Sequence, residues 1–241
     1  MRPAVRDELL RVNRAFYQNL AASFAATRPR PQPGVVRALT AIDRQASVLD
    51  AGCGHGLAAL QLARAGHRGR YLGLDSSERF VEMARRRVAT SWAQFHVADL
   101  AEPGWQGADG IDQPFDWVLA FAVLHHLPDG ALRRRVVDDL HSVLSSKGRA
   151  LVSVWDFPQS ARMRRRIVPW DTIGLKDADV EPGDALLEWR HEGHGLRYVH
   201  NFTPDDLADL AAGGGFTVIS EYRSDGEGGR LGLYQIWRRK G

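Results

Sequence analysis

The chain of 241 residues is predicted to fold as an α/β domain with a mainly parallel sheet of seven strands and helices on both faces. Two observations support this prediction. Strand-like and helix-like runs alternate through most of the chain, and a glycine-rich turn directly follows the first strand-like run. Such alternation is typical of crossover units laid over a parallel sheet. The predicted strands are Ser47 to Asp50, Tyr71 to Asp75, Gln94 to Ala98, Trp117 to Phe121, Ala150 to Trp155, Thr217 to Tyr222 and Leu231 to Trp237.

Helices fit between these strands. The predicted helices are Leu57 to Ala65, Glu78 to Ala89, Ala131 to Leu144 and Pro204 to Ala212. The last has the clearest ends, because Thr203 is a typical N-cap, Pro204 suits the first helical position and Gly213 to Gly215 would stop the helix. The longest apolar run, around Trp117 to Leu124, suits a buried strand and is too short for the roughly 20 residues of a membrane helix. No membrane partner is expected.

Two segments fall outside the alternation. Residues 1–34 are predicted to form an amphipathic arm or lid, because apolar residues recur there at helical spacing before a proline-rich stretch. These residues are Leu9, Leu10, Phe16, Leu20 and Phe24. Residues 156–201 form an insertion after the fifth strand that contains the basic run Arg162 to Arg166. Insertions of this size commonly carry specificity, so we expect this one to contact the substrate within a single domain of residues 1–241.

Composition sets further limits. With 44% hydrophobic and 25% charged residues, the chain has the composition of an ordinary globular protein. The single cysteine, Cys53, excludes an intramolecular disulfide and a multi-cysteine metal site, so we expect no metal and a reducing, cytoplasmic location. The formal net charge of +3 does not decide for or against a nucleic-acid partner.

The glycine-rich turn is the first candidate binding site. Gly52 and Gly54 follow the strand that ends at Asp50, and glycines there would let the backbone approach a nucleotide-like ligand. Such a turn also occurs without a ligand. Asp75 ends the second strand, where a carboxylate can accept hydrogen bonds from ribose hydroxyls, and Asp99 follows the third. Each acid alone could instead cap a helix or be solvated, but both are in register with the turn.

Four peptides together resemble the ordered motifs of class I, Rossmann-like S-adenosylmethionine-dependent methyltransferases. They are ValLeuAspAlaGlyCysGlyHisGly from Val48, GlyLeuAspSer from Gly73, ValAlaAspLeu from Val97, and the segment Phe115 to Pro128. The resemblance implies that S-adenosylmethionine is the cofactor and that strand ends of the domain bind it. The residues implied are Asp50, Gly52, Gly54, Asp75, Ser76, Asp99, Leu100 and Phe121. A nicotinamide dinucleotide site would place a third glycine at position 57, where Leu57 stands.

Further segments resemble the tRNA wobble-uridine methyltransferases, which esterify a carboxymethyl group on carbon 5 of the base. They are Phe16 to Arg28, Pro31 to Val35, Val152 to Asp156, Val168 to Trp170 and Arg197 to Thr203. This resemblance implies tRNA as the partner, with a small activating subunit as a further candidate partner. The implied substrate contacts are Tyr17, Arg28, Trp170, Arg197 and Tyr198. Gln32 and Val199 depart from the family pattern, where a tryptophan and a second tyrosine are expected.

No residue is a clear general base. A carboxylate acceptor is already ionised at neutral pH, since its pKa is about 4, and needs none. If the acceptor were a phenol, alcohol or amine of a small molecule, which is the alternative function, His125 or His126 after the fourth strand would be the candidate base. Both histidines could instead pack beside the cofactor. A third hypothesis, a binding protein without activity, is disfavoured by the intact Gly52, Gly54, Asp75 and Asp99.

Overall fold

A computed structural model describes residues 1–240. Its main sheet has seven strands, namely β1 (Val48–Ala51), β2 (Tyr71–Asp75), β3 (Ala93–Val97), β4 (Phe115–Phe121), β5 (Leu144–Trp155), β9 (Phe216–Ser224) and β10 (Gly232–Arg239). Their order across the sheet is β3-β2-β1-β4-β5-β10-β9. Strands β1 to β5 pair in parallel, whereas β10 pairs antiparallel with both β5 and β9. The predicted fold class and all seven predicted strands are confirmed.

Helices cover both faces of this sheet. They are α3 (Pro33–Leu39), α4 (Leu57–Arg64), α5 (Glu78–Arg87), α6 (Gly130–Ser142) and α8 (Pro204–Gly213). Helices α3 to α5 bury apolar side chains in one cluster against the sheet, and α6 and α8 bury theirs in another. Each predicted helix end lies within two residues of the observed one. The Thr203 hydroxyl accepts a hydrogen bond from the Asp206 amide, as expected of an N-cap.

The N-terminal arm consists of two helices, α1 (Pro3–Asn19) and α2 (Ala21–Ala26), and not of one continuous amphipathic helix. The break falls at Leu20, whose backbone has φ −111° and ψ 16°. Helix α1 buries Val5, Leu9, Val12 and Phe16. Beyond the break, Phe24 of α2 packs edge-to-face against Phe16 and Tyr17 of α1.

The insertion folds into a small sheet of its own, which the sequence analysis did not predict. Strands β6 (Ile167–Val168), β7 (Asp184–Trp189) and β8 (Gly195–His200) pair antiparallel, after the short helix α7 (Ala161–Arg164). These strands escaped prediction because β7 buries consecutive residues and so lacks the alternation of a half-buried strand. Both of its faces are covered, one of them by α1.

Asn13 joins the arm to the insertion. Its side chain accepts a hydrogen bond from the Tyr198 amide at 2.8 Å and donates to the carbonyl oxygens of Tyr198 and His126. Helix α1, strand β8 and the turn after β4 are thereby held together above the carboxyl edge of the main sheet. Within residues 1–240, we find no helix with the length and apolar character required to cross a bilayer.

Candidate active site

A cavity of about 490 Å³ lies between the carboxyl edge of the main sheet, the arm and the insertion. It brings together every residue that the sequence predicted for cofactor binding and most of those predicted for the substrate. Among its lining residues are Tyr17, Arg28, Asp50, Gly52, Gly54, Asp75, Ser76, Asp99, Leu100, Phe121, His126 and Arg197. His125, Trp170 and Tyr198 do not line it.

The glycine turn forms one wall of this cavity. Gly52 and Gly54 have φ of +86° and +53°, in the left-handed region that favours glycine. A Cβ at Gly54 would meet no atom within 4 Å, so the backbone borders open space there. The sequence predicted that a cofactor approaches the bare backbone of this turn. The open space beside Gly54, which we call the cofactor cradle, fits that prediction, because any side chain there would occupy it.

Asp75 stands beside the turn at the end of β2. Its carboxylate accepts hydrogen bonds from the amides of Gly54 and Ser77, both at 2.9 Å. Burial raises the pKa of Asp75 to about 6, although these two hydrogen bonds act in the opposite direction. Asp50 is also buried, and burial raises its pKa to about 7 while the Tyr71 hydroxyl donates to it. A ligand hydroxyl that donates to Asp75 would therefore favour its ionised form.

Asp99 contacts the N-terminal arm. One carboxylate oxygen accepts from Arg14 Nε at 2.7 Å, and the other accepts from the Ala101 amide at 2.8 Å. Arg14 also donates to Glu102. Leu100 is buried next to this ion pair. The arm therefore closes over the end of β3, where the resemblance implied that Asp99 and Leu100 contact the cofactor. Arg14 was not predicted as a site residue.

His126 is held in one orientation by two hydrogen bonds. Its Nδ1 lies 3.0 Å from the Tyr198 carbonyl oxygen, and its Nε2 lies 2.7 Å from the Tyr17 hydroxyl. Since a carbonyl only accepts, Nδ1 carries the hydrogen and Nε2 accepts from Tyr17. Burial, together with the positive charge of Arg197, lowers the pKa of His126 to about 3. His126 is thus neutral, and the lone pair on its Nε2 already accepts a hydrogen bond from Tyr17.

His125 is fully buried behind His126. Its Nδ1 accepts a long hydrogen bond of 3.4 Å from the Trp155 amide. Burial holds the pKa of His125 well below its usual value. Because its ring does not border the cavity, we expect His125 to pack and not to act as a base.

Arg197 is the most unusual side chain of the site. It is 1% exposed, yet among the described residues its Nε and Nη1 have no hydrogen-bond partner and no carboxylate pairs with it. Four aromatic rings surround it instead. The distances from Arg197 Cζ to the ring centroids are 4.7 Å for Phe16, 5.1 Å for Trp155, 5.3 Å for Trp189 and 5.8 Å for Phe24. Burial lowers the pKa of Arg197.

Trp170 and Tyr198, which the sequence suggested as base-stacking residues, lie elsewhere. Both are buried beneath α1 with Val5 and Leu9, and the Tyr198 hydroxyl donates to Asp184 at 2.6 Å. Adjacent residues of a strand point to opposite faces, so Arg197 and Tyr198 of β8 cannot both face the cavity. Other aromatic residues that line the cavity were missed as site residues; they include Phe24, Trp155 and Trp189.

One group of potential metal ligands occurs in the described part of the chain, namely Glu181, Asp184 and His200. Protein groups already occupy it. Asp184 accepts from His200 Nδ1 at 2.7 Å, and Glu181 accepts from Arg133 and from the Gly130 amide. The group therefore serves as a polar anchor between α6 and the insertion.

Comparison with known proteins agrees with this geometry. Residues 48–148 match the family described as Methyltransferase domain, which covers β1 to the start of β5. A solved structure of a Burkholderia thailandensis 1,6-didemethyltoxoflavin-N1-methyltransferase with bound S-adenosylhomocysteine superposes with a TM-score of 0.65 at 19% identity, over 100% of this chain and 92% of that one. Residues 48–148 are therefore a methyltransferase domain, the fold is that of class I methyltransferases, and the enzyme is S-adenosylmethionine-dependent, with S-adenosylmethionine as its cofactor.

Two relatives cover most of the chain. A protein of Encephalitozoon cuniculi named as a methyltransferase is 28% identical over 205 residues, which are 85% of this chain and 86% of that protein. A tRNA (carboxymethyluridine(34)-5-O)-methyltransferase of Schizosaccharomyces pombe is 25% identical over 222 residues, 84% of this chain and 87% of that protein. The chain spans only 20% of a macaque protein and 39% of an Arabidopsis thaliana protein with that activity in their names.

Proposed function

We propose that this methyltransferase esterifies a carboxylate, and that the carboxylate is the carboxymethyl group of a tRNA wobble uridine. The observation that carries the proposal is Arg197, a buried guanidinium without a carboxylate partner on the wall of the cofactor cavity. The names of relatives that act on carboxymethyluridine support the same acceptor.

A buried charge without a partner is costly to the folded protein. Proteins keep such a charge where a ligand supplies the opposite one, and a guanidinium matches a carboxylate through two parallel hydrogen bonds. The rings of Phe16, Trp155 and Trp189 exclude water from Arg197, which strengthens the attraction to an anion. Arg197 would therefore orient an acceptor carboxylate inside the cavity.

The state of His126 fits this acceptor. When bound, the cofactor supplies a methyl group attached to a positively charged sulfur. The protein then has to orient the acceptor and exclude water, and a carboxylate gives up no proton. His126 is neutral and accepts from Tyr17, so it is not available as a base. Because the methyl ester is uncharged, it would lose its charge-assisted contact with Arg197, which favours product release.

A wobble uridine lies in a single-stranded loop, where proteins contact phosphates with arginine and unstacked bases with aromatic rings. Trp155 and Trp189 line the cavity beside Arg197 and are our candidates for the base contact. We extend the proposal to a cytoplasmic location and to a small activating subunit, both of which rest on the sequence analysis.

A small carboxylic acid is the second candidate acceptor. Arg197 would bind a carboxylate on any carrier, and Gln32, where the resembling family has tryptophan, lines the same cavity. This candidate keeps the chemistry of the first and differs only in what carries the carboxylate.

The test is transfer of labelled methyl from S-adenosylmethionine to tRNA whose wobble uridine bears a carboxymethyl group. Unmodified tRNA and the Asp75→Ala variant serve as controls. We expect label only in the modified tRNA, in an alkali-labile ester. Absence of label above the variant, with intact cofactor binding, would reject the tRNA acceptor. Label in simple carboxylic acids in that case would support the second candidate.

A further inference from the structure

The basic run of the insertion divides into two groups in the folded chain. Arg162, although exposed, and the half-buried Arg166 line the cavity, whereas Arg164 and Arg165 are exposed and do not border it. Arg164 donates instead to the Pro158 carbonyl oxygen. Met163, between these two residues in the sequence, is buried against strands β7 and β8 of the insertion and anchors the turn. The spacing of four residues brings Arg162 and Arg166 to one side of this turn.

Arg197 lies near two aromatic rings, Phe24 and Trp189, each of which is also near a second arginine. Arg28 is the second arginine at Phe24, and Arg166 is the second at Trp189. Arg28 Cζ lies 3.7 Å above the Phe24 ring, and Arg197 Cζ lies 5.8 Å from the same ring. Arg166 and Arg197 lie 5.7 and 5.3 Å from the Trp189 ring. The two rings are themselves 5.9 Å apart. Three guanidinium groups therefore converge on one end of the cavity.

No carboxylate among the described side chains pairs with Arg28, Arg162, Arg166 or Arg197. The acids that line the cavity have other partners. Asp75 accepts a hydrogen bond from the Gly54 amide, and Asp50 accepts one from the Tyr71 hydroxyl. Asp99 pairs with Arg14. Asp225 accepts hydrogen bonds from the Tyr234 hydroxyl and the Gly34 amide. Burial, together with repulsion from Arg197, Arg162 and Arg166, lowers the pKa of Arg28 to about 10. One acceptor carboxylate on Arg197 would leave this excess of positive charge uncompensated.

We propose that Arg162 and Arg166, together with Arg28, form a phosphate site at the mouth of the cavity, next to the carboxylate position of Arg197. The acceptor is then a nucleotide that carries a phosphate beside its carboxymethyl base, and not a free nucleoside. The inference rests on the proposed function for the carboxylate. The phosphate itself could belong to an RNA backbone or to a mononucleotide, since both offer anionic oxygens to guanidinium groups.

The experiment compares affinities by calorimetry in the presence of S-adenosylhomocysteine. The probes are 5-carboxymethyluridine, its 5′-monophosphate, and a trinucleotide with the modified uridine in the middle. We expect the phosphate to tighten binding about tenfold, and this gain to fall as salt rises. A larger gain for the trinucleotide than for the monophosphate indicates an RNA backbone, and the reverse indicates a mononucleotide. Equal affinity for all three probes would overturn the phosphate site.

Variants tie this gain to the named residues. The double variant Arg162→Gln/Arg166→Gln should lose most of the gain while its affinity for the nucleoside is unchanged. The matched control, Arg164→Gln/Arg165→Gln, changes the same charge in the same run and should keep the gain. A double variant at Arg162 and Arg166 that keeps it would contradict the assignment.

Uridine and uridine 5′-monophosphate separate this inference from the proposed function. Both lack the carboxymethyl group, so they report the phosphate site alone. A phosphate gain without any preference for carboxymethyl compounds would reject the proposed function and leave the phosphate site standing. A preference for carboxymethyl compounds without a gain from the phosphate would support the proposed function and reject the phosphate site.

Discussion

The hydroxyl of Tyr17 lies 2.7 Å from Nε2 of His126, and this contact occupies the nitrogen that a general base would need. Tyr17 belongs to the N-terminal arm, and His126 follows strand β4 of the main sheet. The arm therefore fixes the histidine as a neutral hydrogen-bond acceptor beside the cofactor cavity.

This arrangement predicts a flat pH profile for methyl transfer. The pKa of His126 is lowered to about 3 by burial, so the ring stays neutral above that pH and no step gains or loses its proton. At saturating S-adenosylmethionine, we expect kcat/KM for a carboxylate acceptor to be constant between about pH 7.5 and pH 9, above the range in which Asp75 titrates and where the acceptor carboxylate is ionised. The measurement is the pH profile of the wild type and of His126→Gln. An ascending limb that disappears in the variant would identify His126 as a base.

Replacement of Arg197 by methionine should separate substrate binding from folding. The variant keeps the volume of the side chain but removes the charge that we assign to the acceptor. We expect KM for the carboxylate acceptor to rise about 100-fold, equivalent to roughly 3 kcal/mol, and the affinity for S-adenosylhomocysteine to stay within about twofold. The free energy of unfolding should fall by no more than about 1 kcal/mol, because a buried unpaired charge is itself costly.

Arg164→Met is the matched control, since Arg164 is exposed and does not line the cavity. We expect the two variants to have similar kcat and similar thermal unfolding, and to differ mainly in KM for the carboxylate acceptor. A comparable loss of cofactor affinity in Arg197→Met would instead place Arg197 in the cofactor site.

Cofactor affinity should depend on pH through Asp75. The pKa of its carboxyl group in the free protein is raised to about 6 by burial, and ribose hydroxyls that donate to it require the ionised form. Affinity is therefore fully present about one pH unit above this pKa and is lost as the pH falls through it, by up to about tenfold per pH unit. Calorimetry with S-adenosylhomocysteine from pH 5 to pH 8 measures this slope.

Two substitutions identify the group that titrates. Asp75→Asn should bind more weakly, by roughly 1 to 3 kcal/mol, and should lose the slope near pH 6. Asp50→Asn should retain that slope, because the Asp50 carboxyl, with a pKa raised to about 7, bonds to Tyr71. If the slope survived in Asp75→Asn, the ribose contact assigned to Asp75 would be wrong.

Two glycines of the turn should respond differently to alanine. A Cβ at Gly52 would come within 2.4 Å of Val123 Cγ2, so Gly52→Ala should destabilise the fold by about 1 to 3 kcal/mol. A Cβ at Gly54 would meet nothing within 4 Å, so Gly54→Ala should cost only about 1 kcal/mol of backbone strain. The same Cβ would fill the cofactor cradle. We expect Gly54→Ala to unfold nearly as the wild type does but to bind S-adenosylhomocysteine at least about tenfold more weakly. Wild-type affinity would argue against this cradle.

The cofactor side of the cavity could be predicted from the sequence because it is built from strand ends. Gly52, Asp75, Asp99 and Phe121 each lie at or just after the carboxyl end of a predicted strand, and parallel strands present these ends at one edge of the sheet. Local patterns that locate the strands therefore also locate the residues that meet there. All of these residues line one cavity in the structure.

The acceptor side could not be read in this way. Arg197 of β8 meets Phe16 and Phe24 of the arm and Trp155 of β5, which are far from it in sequence. The arginine run was equally ambiguous, since the burial of Met163 against distant residues accompanies the placement of Arg162 and Arg166 on the cavity side. If β8 had been predicted, the alternation of side chains along a strand would have shown that Arg197 and Tyr198 face opposite sides.

Local sequence patterns were sufficient to predict the fold class, the seven strands and the strand-end residues that line the cavity, because hydrophobic periodicity and strand ends are local properties. Only the folded chain shows that Arg197 is buried without a carboxylate, which aromatic rings surround it and how Tyr17 contacts His126. These relationships depend on contacts between the arm, the insertion and the sheet. The free energy of such contacts comes from burial and electrostatics between distant segments, which no local pattern encodes.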